Sequence, residues 1–299
     1  MGGASMLQTA STISSACTGV YTEINEHCRQ AIVDNHRWVN TWSGKLWLPP
    51  HIHGDLTEQD IPFDAIQKLF PDHQALQVFL TPADVGHAGM RRARTFIYLR
   101  HRERCQYLWD IYDTLAAVTR VISKTVKTKP SDYLISSPQT RSLEAAIFSR
   151  KRKMAETNMW YLLNDREKQV VRQLDSHYHH KFDQPAREDQ ELFYFLGDRY
   201  EFSRTWSAVR PQALPTYRKN AGKYLHRQSM TFLTSQEKLA SLGWPVTAET
   251  ASEAGTTPLP SLDALRSDMM AGNSMHLSCA GVILFCGMCC FGVTPGTSQ

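Results

Sequence analysis

One short segment constrains the fold of this chain more than any other. Residues 95–99, Thr-Phe-Ile-Tyr-Leu, are β-branched, aromatic or apolar without interruption. Such a run is typical of a β-strand that is buried on both faces. The glycines Gly86 and Gly89 precede the run and indicate a loop. The first sixty residues have the pattern of an α/β protein, and this segment is the clearest of its predicted strands.

Two shorter strands are predicted earlier in the chain, and each leads to an acidic residue. Residues 20–22 favour a strand that ends at Glu23, and residues 24–36 favour a helix. Residues 51–53 favour a second strand, followed by a turn at Asp55. An acidic residue at the end of a strand in an α/β sheet is well placed to accept hydrogen bonds from ribose hydroxyls. The alternative is a pair of solvated surface charges, and position alone leaves both open.

Helices are predicted through most of the remaining chain. Apolar residues recur at spacings of three and four over residues 105–127, and residues 142–179 indicate one or two further helices. Thr234 followed by Glu237 is the capping-box pattern of a helix start. Residues 249–260 are small and polar and include proline, which predicts a linker or surface loop.

The segment over residues 277–293 carries no charge and is largely apolar, although it contains three glycines. A span of about 17 residues is at the short limit of what crosses a bilayer. A buried core helix or strand and a membrane anchor are the two interpretations. Because no basic cluster flanks the segment, the buried element is favoured.

Arginines are concentrated just before and after the predicted strand. Successive side chains of an extended segment point to opposite sides, so these arginines cannot all serve one patch, whereas Arg92 and Arg94 share a side. Two guanidiniums held on one side of a strand can bind a base edge and a phosphate. The alternative is a set of structural ion pairs with carboxylates. The arginines are Arg91, Arg92, Arg94, Arg100, Arg102 and Arg104.

Charge and cysteine content limit the class of protein. The net charge of +4 permits an anionic partner without requiring one. The chain has seven cysteines, an odd number, and no signal-peptide pattern at its start, so a reducing intracellular compartment is expected. Cys286 and Cys289 have the spacing of a metal-ligand pair, but no second pair accompanies them. We therefore expect small buried cysteines and no metal site.

Five segments, taken in order, resemble motifs of the cytosine-5 DNA methyltransferase family. Each match is weak alone, and their shared order makes the set more specific. The segment over residues 232–245 resembles the family's Leu-Thr-x-x-Glu through Leu-Gln-Gly-Phe-Pro motif. The other segments, similar to the second, third, eighth and tenth motifs, are residues 20–36, 52–56, 83–97 and 271–275.

The resemblance implies a cofactor, S-adenosylmethionine, and residues to hold it. In the family, an acidic residue of the second motif holds the ribose and an aspartate of the third contacts the adenine. These roles fall to Glu23 and Asp55. Asn273 and Ser274 match the Gly-Asn-Ser/Ala step that lies beside the methionine end of the cofactor.

The resemblance also implies a substrate, cytosine in nucleic acid. Arg92 and Arg94 match both arginines of the family's Gln-x-Arg-x-Arg segment, while Met90 replaces the glutamine. Arg94 is then expected to face the flipped cytosine, and Arg92 to support the catalytic loop or contact a phosphate. DNA or another nucleic acid is the implied partner, and the nucleus is the implied location in a eukaryote.

The implied architecture is an incomplete Rossmann-like methyltransferase domain with a mainly helical inserted recognition region. A partial catalytic domain is expected over residues 1–104 and the target-recognition-like region over residues 105–224. The chain is then expected to return to the methyltransferase domain over residues 225–299.

Two motifs that the family needs for catalysis are missing. Its enzymes attack C6 of cytosine with a cysteine thiolate from a Pro-Cys loop, because an unactivated ring carbon accepts a methyl group only after a covalent adduct forms. A Glu-Asn-Val motif assists at N3. Neither motif occurs here. Only about 35 residues separate Asp55 from Met90, which is too few for the two strands and the catalytic loop that the family has between these motifs. We therefore expect no methyl transfer by this chain and weak or absent S-adenosylmethionine binding. The alternatives are a non-catalytic nucleic-acid-binding module and a tail-anchored membrane protein.

Overall fold

The computed structural model describes most of the chain from residue 63 onward and two short strands before it. The described residues form a mixed α/β structure with nine α-helices and nine strands. The coarser part of the prediction, a structure that mixes helices and strands, is therefore confirmed. The described ranges are residues 20–22, 51–53, 63–151, 159–206, 213–217, 222–259 and 263–295.

The strands are short and, in the described ranges, form four small sheets. In chain order they are β1 (Val20–Thr22), β2 (His51–His53), β3 (His73–Leu80), β4 (Arg94–His101), β5 (Cys105–Tyr107), β6 (Phe193–Phe195), β7 (Tyr224–His226), β8 (Thr231–Phe232) and β9 (Phe291–Val293). β1 and β2 pair in parallel, and β3 pairs with β4. β5 pairs with β9, and β7 pairs with both β6 and β8, all antiparallel.

The helices begin where the chain supplies side-chain caps. Asn164 accepts a hydrogen bond from the Glu167 N–H at 2.8 Å, and the Glu167 carboxylate accepts one from the Asn164 N–H at 2.9 Å. Thr234 and Glu237 form the same reciprocal pair, so the predicted capping box is confirmed. The helices are α1 (Phe63–Leu69), α2 (Ile111–Thr125), α3 (Pro138–Lys151), α4 (Asp165–Phe182), α5 (Tyr200–Trp206), α6 (Ser235–Ser241), α7 (Ala248–Glu253), α8 (Ala264–Asn273) and α9 (Leu277–Cys290).

Contacts divide the chain into two compact units. The first comprises Met1–Val78, Phe96–Thr114 and Leu284–Gln299, and the second comprises Phe79–Thr95 and Leu115–Ile283. Each unit is thus assembled from segments that are distant in sequence.

The first unit contains an aromatic cluster beside the β5–β9 ladder. Tyr107 lies opposite Phe291 in the antiparallel register, and their ring centroids are 5.4 Å apart. Tyr98 places its ring 5.6 Å from that of Phe291. Cys286 and Cys290 are fully buried in the same unit. Aromatic contacts of this kind add to the free energy gained by burying the rings.

The second unit has an apolar cluster on each face of the β6–β7–β8 sheet. Phe193 and Phe195 belong to one cluster, whereas Tyr194, between them in sequence, belongs to the other. Tyr224 and Leu225 on β7 are divided in the same way. Side chains alternate along a strand, so a sheet with a core on both faces is uniformly apolar.

The strand predicted from residues 95–99 is confirmed as β4, but its predicted burial on both faces is wrong. Phe96 is half-buried, while Thr95 and Ile97 are exposed, Ile97 at 37%. Among the described strands β4 pairs only with β3. A two-stranded sheet with one covered face leaves alternate side chains in solvent.

Two other predicted boundaries are wrong. Residues 105–127 are not one helix, because β5 pairs with β9 first and the helix begins only after Asp110. The Asp110 carboxylate accepts hydrogen bonds from the N–H groups of Tyr112 and Asp113 at 2.8 and 3.0 Å, which caps α2. Residues 249–260 include part of α7, a short helix that Thr247 caps.

The segment over residues 277–293 forms α9 followed directly by β9. Cys279, Val282 and Cys286 are buried, while Leu284 on the opposite side is 69% exposed. The favoured prediction of a buried element therefore holds for one face of the helix. No single helix among the described residues has the length and apolar character to cross a membrane. Together, α8 and α9 meet those criteria as a pair bent by 45°, as core helices of soluble proteins also can.

Candidate functional site

The two candidate substrate-facing arginines lie in the extended segment that leads into β4. The Arg91 N–H donates to the carbonyl of Leu214 at 2.7 Å, which fixes this segment in the second unit. Exposure then alternates, since Arg92 is buried, Ala93 is exposed and Arg94 is half-buried. Arg92 and Arg94 thus lie on one side of the segment, as an extended backbone requires.

The Arg92 guanidinium bridges two backbone carbonyls. Nη1 donates to the carbonyl of Tyr217 at 3.1 Å, and Nη2 donates to the carbonyl of Gly272 at 2.8 Å. Gly272 lies in α8, next to the candidate cofactor residue Asn273. The bridge therefore brings together the segments over residues 83–97 and 271–275, which resemble the eighth and tenth motifs.

The charge of Arg92 is buried, and no carboxylate among the described residues neutralises it. Its side chain is 2% exposed, and Nε has no hydrogen-bond partner among the described residues. Burial, with a smaller contribution from the Arg94 charge, lowers the pKa of Arg92 to about 10. The guanidinium is still protonated at neutral pH, so the site keeps a positive charge.

Most of the Arg94 donors have no hydrogen-bond partner among the described residues. Its Nη1 donates to the carbonyl of the adjacent Ala93 at 2.8 Å. Burial lowers its pKa, which indicates a partly desolvated position. Within the described ranges no carboxylate lies at ion-pair distance from Arg92 or Arg94. Among the described residues, Arg92 and Arg94 therefore do not form the structural ion pairs that were the alternative interpretation.

No protein-family model and no curated protein matches this chain. The resemblance to cytosine-5 methyltransferases therefore stays a prediction from the five segments, and the roles assigned to the site residues stay predictions with it.

The predicted cofactor residues do not form one set in the part of the chain that the structure describes. Glu23 and Asp55 lie outside the described residues. Asn273 is exposed at the end of α8, while the Ser274 hydroxyl donates to the carbonyl of Met270. One free amide does not hold a ligand of the size of S-adenosylmethionine, so the described residues do not fit this cofactor by themselves.

The two strands that precede Glu23 and Asp55 in sequence are neighbours in one small sheet. β1 and β2 pair in parallel, with Thr22 beside His53. Glu23 follows β1 directly in sequence, and Asp55 is the second residue after β2. In parallel strands the carboxyl ends meet at one edge of the sheet, which is where α/β proteins bind ligands.

Met90 stands where the family has glutamine, and here it is a core residue. Its side chain is 2% exposed and belongs to the same apolar cluster as Tyr217 and Leu214. The Ser241 hydroxyl lies 3.8 Å from its sulfur. Directly before Arg91, the chain therefore has an apolar side chain in the core at the position where the resembled motif has a polar amide.

The other arginines of the cluster divide between the two units. Arg100, in the first unit, lies over the ring of Tyr107 at 5.8 Å and donates to the carbonyl of Cys105 at 3.4 Å. Arg102 Nε donates to the carbonyl of Pro71 at 3.3 Å. These contacts hold the β4–β5 turn and are consistent with the prediction that the arginines do not form one patch.

The cysteines of α9 are free thiols, three of them buried. Burial raises the pKa of Cys279 to about 12 and that of Cys286 to about 11. Such thiols are protonated at neutral pH and are weak nucleophiles. In the described part of the chain no three His, Cys, Asp or Glu residues are arranged to hold a metal ion.

One further feature of this region, a contact between His87 and His276, has no signal in the sequence. The ring centroids are 4.6 Å apart, with His87 in the loop before Arg92 and His276 between α8 and α9. The two residues are far apart in sequence, and neither lies in a recognisable ligand spacing. Only the three-dimensional structure brings them together.

Proposed function

We propose that this protein is a cytosine-5 DNA methyltransferase-like protein that binds nucleic acid and does not itself transfer a methyl group. The proposal includes an incomplete Rossmann-like domain with a helical recognition region. The observation that carries it is the pair Arg92 and Arg94, two neighbouring guanidiniums on one side of an extended segment with no described carboxylate at ion-pair distance.

An anionic ligand is the natural complement of such a pair. Each positive guanidinium disfavours the protonated form of the other, and the charge of Arg94 accordingly lowers the pKa of Arg92. A phosphate near both would remove this cost, and Arg94 has donors to offer it. Arg92 uses two donors on backbone carbonyls, so its contribution would be to hold the segment and supply charge.

The methyltransferase part of the proposal has separate support. Arg92 connects two motif-like segments that are distant in sequence, through the Gly272 carbonyl. β1 and β2 are parallel neighbours, as expected for strands that lead to Glu23 and Asp55. The absence of Pro-Cys and Glu-Asn-Val from the sequence argues for binding without methyl transfer.

The test is a binding titration of the full chain with fluorescent DNA duplex and single strands at several salt concentrations. Arg94→Ala should weaken binding about tenfold and reduce the slope of log affinity against log salt by about one. Arg266→Ala is the matched control, because Arg266 is exposed on α8, outside the proposed recognition region, and the substitution removes the same charge. An unchanged affinity and slope for Arg94→Ala would contradict the proposal.

A second measurement tests the catalytic half. The chain is incubated with methyl-labelled S-adenosylmethionine and cytosine-containing duplex, with an active cytosine-5 methyltransferase as positive control. We expect no label in the DNA. Transfer by this chain would show that another residue replaces the missing nucleophile, and would overturn the assignment as a non-catalytic protein.

A further inference from the structure

Two histidines of the second unit face each other at the junction between α8 and α9. His87 belongs to the loop after the Pro82–Val85 turn, and His276 lies three residues after the end of α8. Their rings are tilted by 56° with centroids 4.6 Å apart. The contact therefore attaches the loop that leads to Arg92 to the helix junction.

Both imidazoles are held in their neutral form. His276 is 1% exposed, and neither of its ring nitrogens has a hydrogen-bond partner among the described residues. Nδ1 of His87 is likewise buried without a partner, while Nε2 lies 3.3 Å from the Ser278 hydroxyl. A proton on either ring would place a charge in this contact, and no carboxylate of the described residues pairs with it.

The charged groups on the surrounding elements are already engaged or exposed. The Asp84 carboxylate accepts hydrogen bonds from the N–H and hydroxyl of Thr81, both at 2.7 Å. Lys238 pairs with Asp268 at 2.8 Å, and the described part of α9 carries no charge. The other charged groups on these elements are Glu237, which pairs with Arg141, Arg266, which pairs with Asp263, and the exposed Lys127 and Lys129. The segment after the loop also carries the exposed Arg91 and the buried Arg92, whose guanidinium donates to the carbonyls of Tyr217 and Gly272.

We propose that the His87–His276 contact is an acid-sensitive device that releases the loop over residues 86–90 from the α8–α9 junction when either ring is protonated. The device is a property of the fold and goes beyond the proposed function. It stands whether or not the chain binds nucleic acid.

The direction of the effect follows from linkage. Burial, and then the neighbouring His87, lower the pKa of His276 to about 3 from its ordinary 6.5. Burial also lowers the pKa of His87. A group with a lowered pKa stabilises the closed state above its ordinary pKa and loses that contribution as the pH falls toward the folded value. Between about pH 7.5 and pH 5 the His276 imidazole alone should raise the opening constant about 30-fold, and protonation of His87 acts in the same direction.

Backbone hydrogen bonds next to the contact report its opening. The Leu277 N–H donates to the carbonyl of Leu242 at 2.8 Å, and the Ser274 N–H donates to the carbonyl of Met270 at 2.7 Å. When the junction opens, these amides exchange with solvent. Amide exchange in peptides that cover residues 271–283 therefore measures the event locally.

Amide exchange measured peptide by peptide distinguishes opening of the His87–His276 contact from the effects of other buried histidines. His226 is also buried, and burial lowers its pKa, although its ring is hydrogen-bonded to the Ser229 hydroxyl and the Gln190 carbonyl. Its protonation would act on β7. Peptides around β7 and peptides over residues 271–283 report the two events independently.

The experiment is hydrogen exchange of the full chain by mass spectrometry, corrected for the intrinsic pH dependence of exchange. In the wild-type protein, protection over residues 271–283 should fall at least 30-fold between about pH 7.5 and pH 5. His276→Phe removes one ionisable ring and should reduce this fall about 30-fold. His180→Phe, which changes an exposed histidine of α4, should leave it unchanged.

A titration of the wild-type histidines by NMR keeps the proposal testable if His276→Phe does not fold. In the folded protein the His276 ring should stay neutral down to about pH 4. Titration of that ring near pH 6.5 would overturn the proposal. So would equal protection of residues 271–283 at both pH values, or an equal loss in the His276→Phe protein.

Discussion

The bridge made by Arg92 can be tested by replacing the guanidinium with an ammonium of the same charge. Arg92→Lys keeps the cation and its burial cost but cannot reach the carbonyls of Tyr217 and Gly272 together, which Arg92 contacts at 3.1 and 2.8 Å. Loss of one hydrogen bond from a charged donor in a buried site costs about 2 kcal/mol. The unfolding constant of the second unit should therefore rise about 30-fold, as measured by urea denaturation.

The control is Arg172→Lys, an exposed exchange on α4 that should change the free energy of unfolding by less than about 0.5 kcal/mol. Arg92→Lys and Arg94→Ala should also differ in kind. The first should lower stability with little change in the nucleic-acid affinity of the folded protein, and the second should do the reverse. If Arg92→Lys were as stable as the wild type, the bridge would not contribute to folding and the reasoning would be refuted.

Two further predictions concern residues away from the arginine pair. Lys223→Met removes the partner of the buried Glu167 carboxylate, 2.9 Å away, and should destabilise the protein by about 3–5 kcal/mol in urea denaturation, with much of the loss recovered by adding Glu167→Gln. Stability unchanged by Lys223→Met would argue against a buried ion pair. Gly86→Ala should destabilise by more than about 1 kcal/mol, because φ is 84° and a Cβ would lie 2.4 Å from the Val126 carbonyl oxygen. Gly281→Ala, in open space on α9, should be neutral or stabilising by up to about 1 kcal/mol in thermal denaturation, and an equal effect of the two changes would contradict the argument.

Elements with local signals could be predicted from the sequence. The capping box at Thr234 needs only two side chains three residues apart, and β4 needs only its own composition. Prediction failed for an element whose structure depends on a strand distant in sequence. The helical periodicity over residues 105–127 continues into β5, which is a strand because it pairs with β9 from the other end of the chain. Such long-range hydrogen bonds override the local helical preference, and no local sequence pattern indicates them.

The side that Arg92 and Arg94 share could be predicted from the sequence, but their contacts could not. The spacing of Arg92 and Arg94 indicated a shared side, and the structure has that alternation. That Arg92 would contact Gly272 follows from no periodicity, since the two residues come from segments of unrelated pattern. The same holds for His87 and His276. Buried contacts between distant segments depend on tertiary packing, which a single sequence does not encode in any short window.

The arginine bridge and the histidine contact attach one segment to one helix junction. The Arg92 guanidinium donates a hydrogen bond to the Gly272 carbonyl of α8. The ring of His87, which precedes Arg92, contacts the ring of His276, which follows α8. Neither attachment includes a carboxylate among the described residues, so both leave positive or potentially positive groups unbalanced. An anion bound at Arg94 would stabilise the attached state by mass action, whereas protons would favour release. If both proposals hold, nucleic acid and acid act in opposite directions on the same segment, and each shifts the response to the other.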